Sequence, residues 1–299
     1  MWENFNVKLE KNTFANIPSG DLRISILSEC NMKCVYCHSE GCVSKEKLSL
    51  EEIVYIVKKS MAYGIKQIRL TGGEPLLHKD ITEICSQIKK ICPNVHLGIN
   101  TNGILIDKII EIVDKGIVDR IVVGLDYFDA AISKNSPFGH SSKKIRDNII
   151  KIKEHGCSVE VDAVYDGDYL NIYSLAKWCL ENHIRFKILE LIDDTNSKKP
   201  KENYVQMIKK LTTDLDLTVG INNCFDDLFA YDKNKTEISF FHSLCRTQEC
   251  SKCARMHMRV TSLGKAKPCL KNKETEFELL CSNFDDNMRK AIYNLGISP

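Results

Sequence analysis

No run of apolar residues in this 299-residue sequence approaches the roughly 18 needed for a membrane-crossing helix. Membrane insertion is therefore not expected. Charge of one sign is missing too: 42 Lys and Arg stand against 40 Asp and Glu, a formal net charge of +2. Near balance removes the general electrostatic case for nucleic acid or an anionic membrane as partner. Tryptophan occurs twice and proline seven times, and there is no internal repeat or low-complexity tract. With 43% hydrophobic and 27% charged residues, the composition argues against collagen-like, coiled-coil and disordered classes. The opening segment MWENFNVKLEKNTF lacks the apolar core and cleavage pattern of a secretory signal, so a cytoplasmic chain is expected.

Cysteine, by contrast, is abundant, with fourteen. In the cytoplasm thiols stay reduced. They then serve as small buried hydrophobes or as ligands for soft metals. Spacing separates the two uses. Cys42, Cys85, Cys92, Cys157, Cys179, Cys224 and Cys281 read as buried apolar thiols, and Cys85 and Cys92 share one helix face. Two clusters remain. Cys30, Cys34 and Cys37 form C-x3-C-x2-C, and Cys250, Cys253 and Cys269 form C-x2-C-x15-C.

From Leu22 to Leu191 short β-branched runs alternate with segments of helical period. The runs at 22–27, 67–70, 95–99, 120–125, 159–164 and 185–191 predict six strands. Helices are predicted over Leu50–Ala62 behind the N-cap Ser49, and over Lys79–Ile91, Ile104–Lys115, Ser142–His155 and Tyr169–Asn182. Such alternation predicts a mainly parallel α/β sheet with right-handed crossovers. Ligands then sit beyond the C-terminal ends of the strands. The loops there carry CNMKC, TGGEP, NTNG and LDYFD. The polar stretch 193–203 reads as a linker, dividing the chain into 1–192 and 193–299. A helix is expected near Tyr204–Thr213, and 214–244 shows no clear pattern.

Three thiolates on one strand-end loop suit a [4Fe–4S] cluster with one iron left open. A zinc site closed by His38 or Cys42 is the alternative at this point. The second set by itself reads as a zinc ribbon short of one ligand or a redox pair, with Cys245 as a candidate fourth ligand.

The C-x3-C-x2-C spacing with Tyr36 before its last cysteine, followed by Gly72, Gly73, Glu74 and Pro75 after the second strand, resembles the radical S-adenosylmethionine (SAM) superfamily. Asn102 in NTNG and Asp126 in GLDYF match strand-end positions of that superfamily. The resemblance implies a partial (β/α)6 TIM-like barrel with a small C-terminal iron–sulfur domain. It implies a [4Fe–4S] cluster on Cys30, Cys34 and Cys37, with SAM contacts from Tyr36, Gly72, Gly73, Glu74, Pro75, Asn102, Gly124 and Asp126. After such a core, Cys250, Cys253 and Cys269 resemble the ligands of an auxiliary [4Fe–4S] "twitch" domain.

Over roughly residues 21–270 the chain is similar to the GTP 3′,8-cyclase family of molybdenum-cofactor biosynthesis. LRIS, IRLTGGEPLLHKD, RIVVGLDYFD and CSKCARMHMRVTSLGKAKPCL carry the likeness. It implies catalytic roles for Arg23, Arg255 and Arg259 and further substrate contacts from Arg69, Lys187 and His257. It also implies GTP as substrate, flavodoxin or ferredoxin as reductant, and the next enzyme of the pathway as partner. The sequence departs from that family by a two-residue insertion between Arg255 and Arg259 and by a tail, NLGISP, without paired glycines. Another nucleotide or a ribosomally made peptide is therefore an alternative substrate. A non-catalytic metal-binding redox module is a third reading.

Overall fold

Side chains alternate along the first strand, β1 (Asp21–Leu27). Leu22, Ile24 and Ile26 are fully buried on one face, while Arg23 and Ser25 take the other. The same period of two runs through β2 (Gln67–Gly72), β3 (His96–Thr101), β4 (Arg120–Gly124), β5 (Ser158–Tyr165) and β6 (Arg185–Glu190). Each strand puts Ile, Leu, Val, Ala or Phe toward the crossover helices and mostly polar residues toward the opposite, concave face.

The computed structural model describes residues 17, 19–34, 36–37, 46–129, 142–191, 200–222, 227–241, 257–269 and 276–295. β1 to β6 are parallel neighbours in sequence order, joined through α1 (Leu50–Ser60), α2 (Ile81–Ile91), α3 (Ile106–Asp114), α4 (Ser142–Glu154) and α5 (Tyr169–Glu181). All six predicted strands and five predicted helices are therefore present, with ends moved by one or two residues. Ser49 caps α1 in a full capping box with Glu52. Among the described residues the hydrogen bonding of the sheet does not close on itself.

The C-terminal residues extend both edges of this sheet. α6 (Pro200–Asp214) starts inside the predicted linker, because proline at a first helical position forfeits no hydrogen bond. Beyond it, β7 (Thr218–Asn222), β8 (Asp227–Tyr231) and β9 (Glu237–Phe241) form an antiparallel run whose last member pairs parallel with β6. Tyr204 ties α6 down by donating to the carbonyls of Ile188 (2.8 Å) and Phe241 (3.1 Å). At the other edge β10 (Met258–Val260) pairs parallel with β1 and antiparallel with β11 (Lys265–Lys267), which pairs with β12 (Phe277–Glu278). α7 (Phe284–Leu295) covers that edge, stacking Phe284 edge-on against Tyr55 of α1 at 5.8 Å. The boundary expected at 192/193 lies outside the described residues.

Cys85, Cys92 and Cys179 are buried as expected, and burial pushes the Cys85 thiol up to about 12. Cys157 and Cys281 are corrections: both sit in turns, entering β5 and preceding α7, and stay half exposed. Cys42 and Cys224 lie outside the described residues. No helix among those residues is long and apolar enough to cross a membrane.

Candidate active site

The loop after β1 carries Cys30, Cys34 and Cys37, and the glycines after β2 hold its root. Gly73 N–H donates to the Leu27 carbonyl and Glu74 N–H to the Glu29 carbonyl, both at 2.8 Å. A Cβ on Gly72 would stand 2.1 Å from the Leu27 oxygen, and one on Gly73 would stand 2.0 Å from the Glu29 oxygen. Gly72 also has φ of +140°, which side chains avoid. The glycines are thus required by backbone lying on backbone.

Cys30 and Cys37 are exposed and Cys34 is half buried. Met32 N–H donates to the Cys30 sulfur at 3.3 Å, and Cys37 N–H to the Cys34 carbonyl at 3.1 Å. Burial first, then Asp126 and the other two thiols, pushes Cys34 up to about 12. Burial likewise raises Cys30, against the Met32 N–H. Among the described residues no three His, Cys, Asp or Glu side chains converge on a single metal ion. A cubane takes each thiolate at a different iron. Three accessible thiols on one loop, in one another's field, fit the cubane. His38 lies outside the described residues.

Around the loop the strand ends interlock. Tyr36 donates its hydroxyl to Asp126 Oδ2, and Asp126 Oδ1 accepts from Val164 N–H at 2.9 Å. Burial, with Asp166 and Asp162 nearby, pushes the Asp126 carboxyl up to about 7. Asn102 donates through Nδ2 to Asn31 Oδ1 at 2.7 Å. Glu74 is buried and accepts from Thr101 Oγ1 (2.8 Å), Asn102 N–H (2.8 Å) and Leu76 N–H (3.1 Å). Three donors fill all but one of its roughly four lone-pair positions. Pro75 opens the short 3-10 turn Pro75–Leu77 that Glu74 caps.

The concave face below is strongly cationic. Arg23 is the register partner of Arg69 on β2 and of Arg259 on β10, and Arg259 is the partner of Lys267 on β11. Four cations thus stand in one cross-strand row, about 4.8 Å apart from strand to strand. Asp21 pairs with Arg69, and Glu276 pairs with Lys267 at 3.0 Å. Like charges placed directly opposite are destabilising. His257 stands at the head of β10, and its Nε2 is buried without a partner among the described residues. Burial first, then Arg259, Arg23, Arg69 and Lys187, drives its pKa well below the ordinary histidine value, so the ring is neutral. Lys187 is on β6, five strands from β1 in the sheet, and adds the smallest share of this field.

A profile of the Radical SAM superfamily matches residues 24–170. The chain is 30% identical over 266 residues to a probable GTP 3′,8-cyclase of Methanococcus aeolicus, covering 87% of this chain and 88% of that one. The chain belongs to the radical SAM superfamily. It is 29% identical over 289 residues to a GTP 3′,8-cyclase of Clostridium botulinum, covering 92% and 88%. Among solved structures it resembles Streptococcus suis SuiB bound to S-adenosylmethionine, with a TM-score of 0.69 and 19% identity. It covers 65% of SuiB, less than two thirds, while SuiB covers 91% of it. It also resembles anSMEcpe with bound AdoMet, with a TM-score of 0.66 and 16% identity over 92% of this chain and 81% of that one. At such identity these structures speak for the fold alone.

In this radical SAM chain one end of the sheet gathers Cys30, Cys34, Cys37, Tyr36, Gly72, Gly73, Glu74, Pro75, Asn102 and Asp126, with Gly124 exposed at the end of β4. Arg23, Arg69, Lys187, His257 and Arg259 share the interior. Cys250, Cys253, Arg255 and Cys245 lie outside the described residues, and Cys269 follows β11, half buried. Sequence reasoning missed Asn31, Thr101 and Lys267. Asn31 lies inside the cysteine motif and Thr101 inside NTNG, but Lys267 carries no spacing signal, and only strand register brings it in.

Proposed function

We infer that this radical SAM enzyme acts on a phosphate-bearing nucleotide, and that its reaction is the cyclisation of GTP to 3′,8-cyclo-7,8-dihydro-GTP in molybdenum-cofactor biosynthesis. The row Arg259–Arg23–Arg69 carries the reading. Adjacent guanidiniums bind phosphate oxygens as planar forks, and a triphosphate would neutralise them. The names of the relatives from Methanococcus and Clostridium support the same substrate.

Cys30, Cys34 and Cys37 would hold a [4Fe–4S] cluster, and Cys250, Cys253 and Cys269 an auxiliary one. Held there with SAM, the first cluster would supply reductive-cleavage chemistry, with flavodoxin or ferredoxin as the electron source. The protein's part is positional. Glu74, through Asn102 and Leu76, fixes the strand ends against which SAM would lie. Tyr36 and Asp126 fasten the cysteine loop to β4. Arg23, Arg69 and Arg259, with the unplaced Arg255, would hold the triphosphate, while Lys187 and neutral His257 border the same space. The sheet shields that space from water. We place the enzyme in the cytoplasm, passing its product to the next enzyme of the pathway.

Anaerobic reconstitution with SAM, dithionite and GTP tests this. Growth of 5′-deoxyadenosine with GTP, together with a new nucleotide of unchanged mass, is expected. Cleavage of SAM with GTP left intact would overturn the substrate assignment.

A further inference from the structure

Away from the arginines, the interior also carries acceptors without partners among the described residues. Asp162 on β5 faces inward, because its neighbours Val161 and Ala163 are fully buried on the helix side. Its Oδ1 is shut from solvent and has no hydrogen-bond partner among the described residues. Asn100 Oδ1 on β3 is in the same condition. The other acid of β5 differs: Glu160 is engaged by Arg120 at 3.4 Å and Arg185 at 4.0 Å. Lys187, the cross-strand partner of Asp162, lies instead over the Phe241 ring, 5.1 Å from its centre.

On β4, the strand between the two acceptors, Val122 is the partner of Asn100, while Gly124 is the register partner of Asp162. A Cβ there would meet only the Thr101 oxygen, at 3.9 Å, so the space beside Asp162 is open. A buried acceptor left unmade costs as much as a lost hydrogen bond. Asp162 beside that open space calls for a donor from a ligand, and Asn100 on the same face is a second such acceptor. Asp162 and the arginine row face the same side of one sheet, so one bound molecule can meet both.

We propose that Asp162, with Asn100, accepts hydrogen bonds from donor groups of the substrate while its anionic end lies on the arginine row. Asp162 is thereby a specificity-determining residue. The proposal rests on the nucleotide reading above for the identity of those donors: ribose hydroxyls or the amino and N1–H edge of guanine.

The test is equilibrium binding by calorimetry on the anaerobically reconstituted full chain, with GTP and inorganic tripolyphosphate as probes. Simple electrostatics predicts that Asp162→Asn, which removes a negative charge from a cationic cavity, tightens both. The proposal expects opposite signs. Tripolyphosphate binds as tightly or more tightly, while GTP weakens about tenfold or more, as befits loss of a hydrogen bond to a charged group. Asn100→Ala weakens GTP in the same sense and guards against misfolding of the first variant. ITP and 2′-deoxy-GTP separate base from ribose, because the analogue lacking the accepted group binds alike to wild type and Asp162→Asn. Parallel changes for GTP and tripolyphosphate overturn the inference. So does a wild type that binds GTP no better than tripolyphosphate. Tight GTP binding with the expected loss, but without GTP-dependent SAM cleavage, would instead overturn the proposed function and leave the acceptors standing.

Discussion

Replacing Gly73 by alanine should damage the site through its scaffold. The new Cβ would lie 2.0 Å from the Glu29 oxygen, 2.4 Å from the Glu29 carbonyl carbon and 2.7 Å from the Ser28 oxygen. All three are backbone atoms, so no rotamer change relieves the contact. Reaching ordinary van der Waals separation means a retreat of about an ångström or more by the segment leading into Cys30. That segment is held by two 2.8 Å hydrogen bonds, from Gly73 N–H to Leu27 and from Glu74 N–H to Glu29. Losing both costs about 1 kcal/mol each, and overpacking adds about 1–3 kcal/mol. Alanine returns about 0.4–1 kcal/mol by restricting the unfolded chain. The net expectation is a loss of about 2–4 kcal/mol, a large share of a typical stability. Urea unfolding of the cluster-free chain, followed by circular dichroism, measures it, with iron content after reconstitution as the second readout. Gly124→Ala is the control, since its Cβ meets nothing closer than 3.9 Å. Equal unfolding midpoints for the two variants, with full iron loading in both, would refute the argument that the glycines serve the cysteine loop.

Glu74→Gln should cost about 2 kcal/mol, because an amide can keep its oxygen toward Thr101 and Leu76 only by turning a donor onto the Asn102 N–H. A urea midpoint unchanged from wild type would contradict that wiring. Acid stability should depend on Asp119. Burial raises its carboxyl, but Lys89 at 2.6 Å and the Leu97 N–H at 2.6 Å outweigh it and hold the pKa below the ordinary value. A depressed folded pKa gives stability that is present above the unfolded value of about 3.9 and is lost as pH falls through the folded one. Asp119→Asn should therefore be less stable than wild type at neutral pH and match it in strong acid. A gap between the two proteins that stays constant with pH would count against the assignment.

The barrel half of the fold was legible because its signals are local. Runs such as LRISIL and RIVVGL are bounded by turn residues, and Ser49 announces a helix start that the structure contains. The antiparallel run β7–β9 was not legible, since strands such as DLFAY and EISFF mix acids, aromatics and small residues without clean alternation. The pairing of β10 with β1 joins residues more than two hundred positions apart and leaves no local mark. For the site, the cysteine triad and GGEP were visible as spacing. The reason for the glycines was not, because it lies in the approach of β2 to residues 27–29. Arg23 and Arg259 were singled out by resemblance, but their adjacency to Arg69 and Lys267 is a property of register.

That register also explains how a destabilising row of charge is carried. On its inner face the β11–β10–β1–β2 segment sets Lys267, Arg259, Arg23 and Arg69 side by side. On the outer face the same strands set Ala266, Met258, Val260, Leu22, Ile24, Ile68 and Leu70, each at most 1% exposed. Fully burying one such side chain contributes about 1.5–3 kcal/mol, whereas a like-charge cross-strand pair costs a fraction of that. The apolar face therefore decides that β10 docks, and α7 reinforces it through Phe284 on Tyr55 and the Tyr63 hydroxyl on Asp285 at 2.8 Å. Because side chains alternate strictly, docking for hydrophobic reasons forces Arg259 against Arg23. Stability and chemistry are thus divided between the two faces of one strand edge. The inner face holds its cations side by side, with Asp21 on Arg69 and Glu276 on Lys267, because the outer face has already fixed their places.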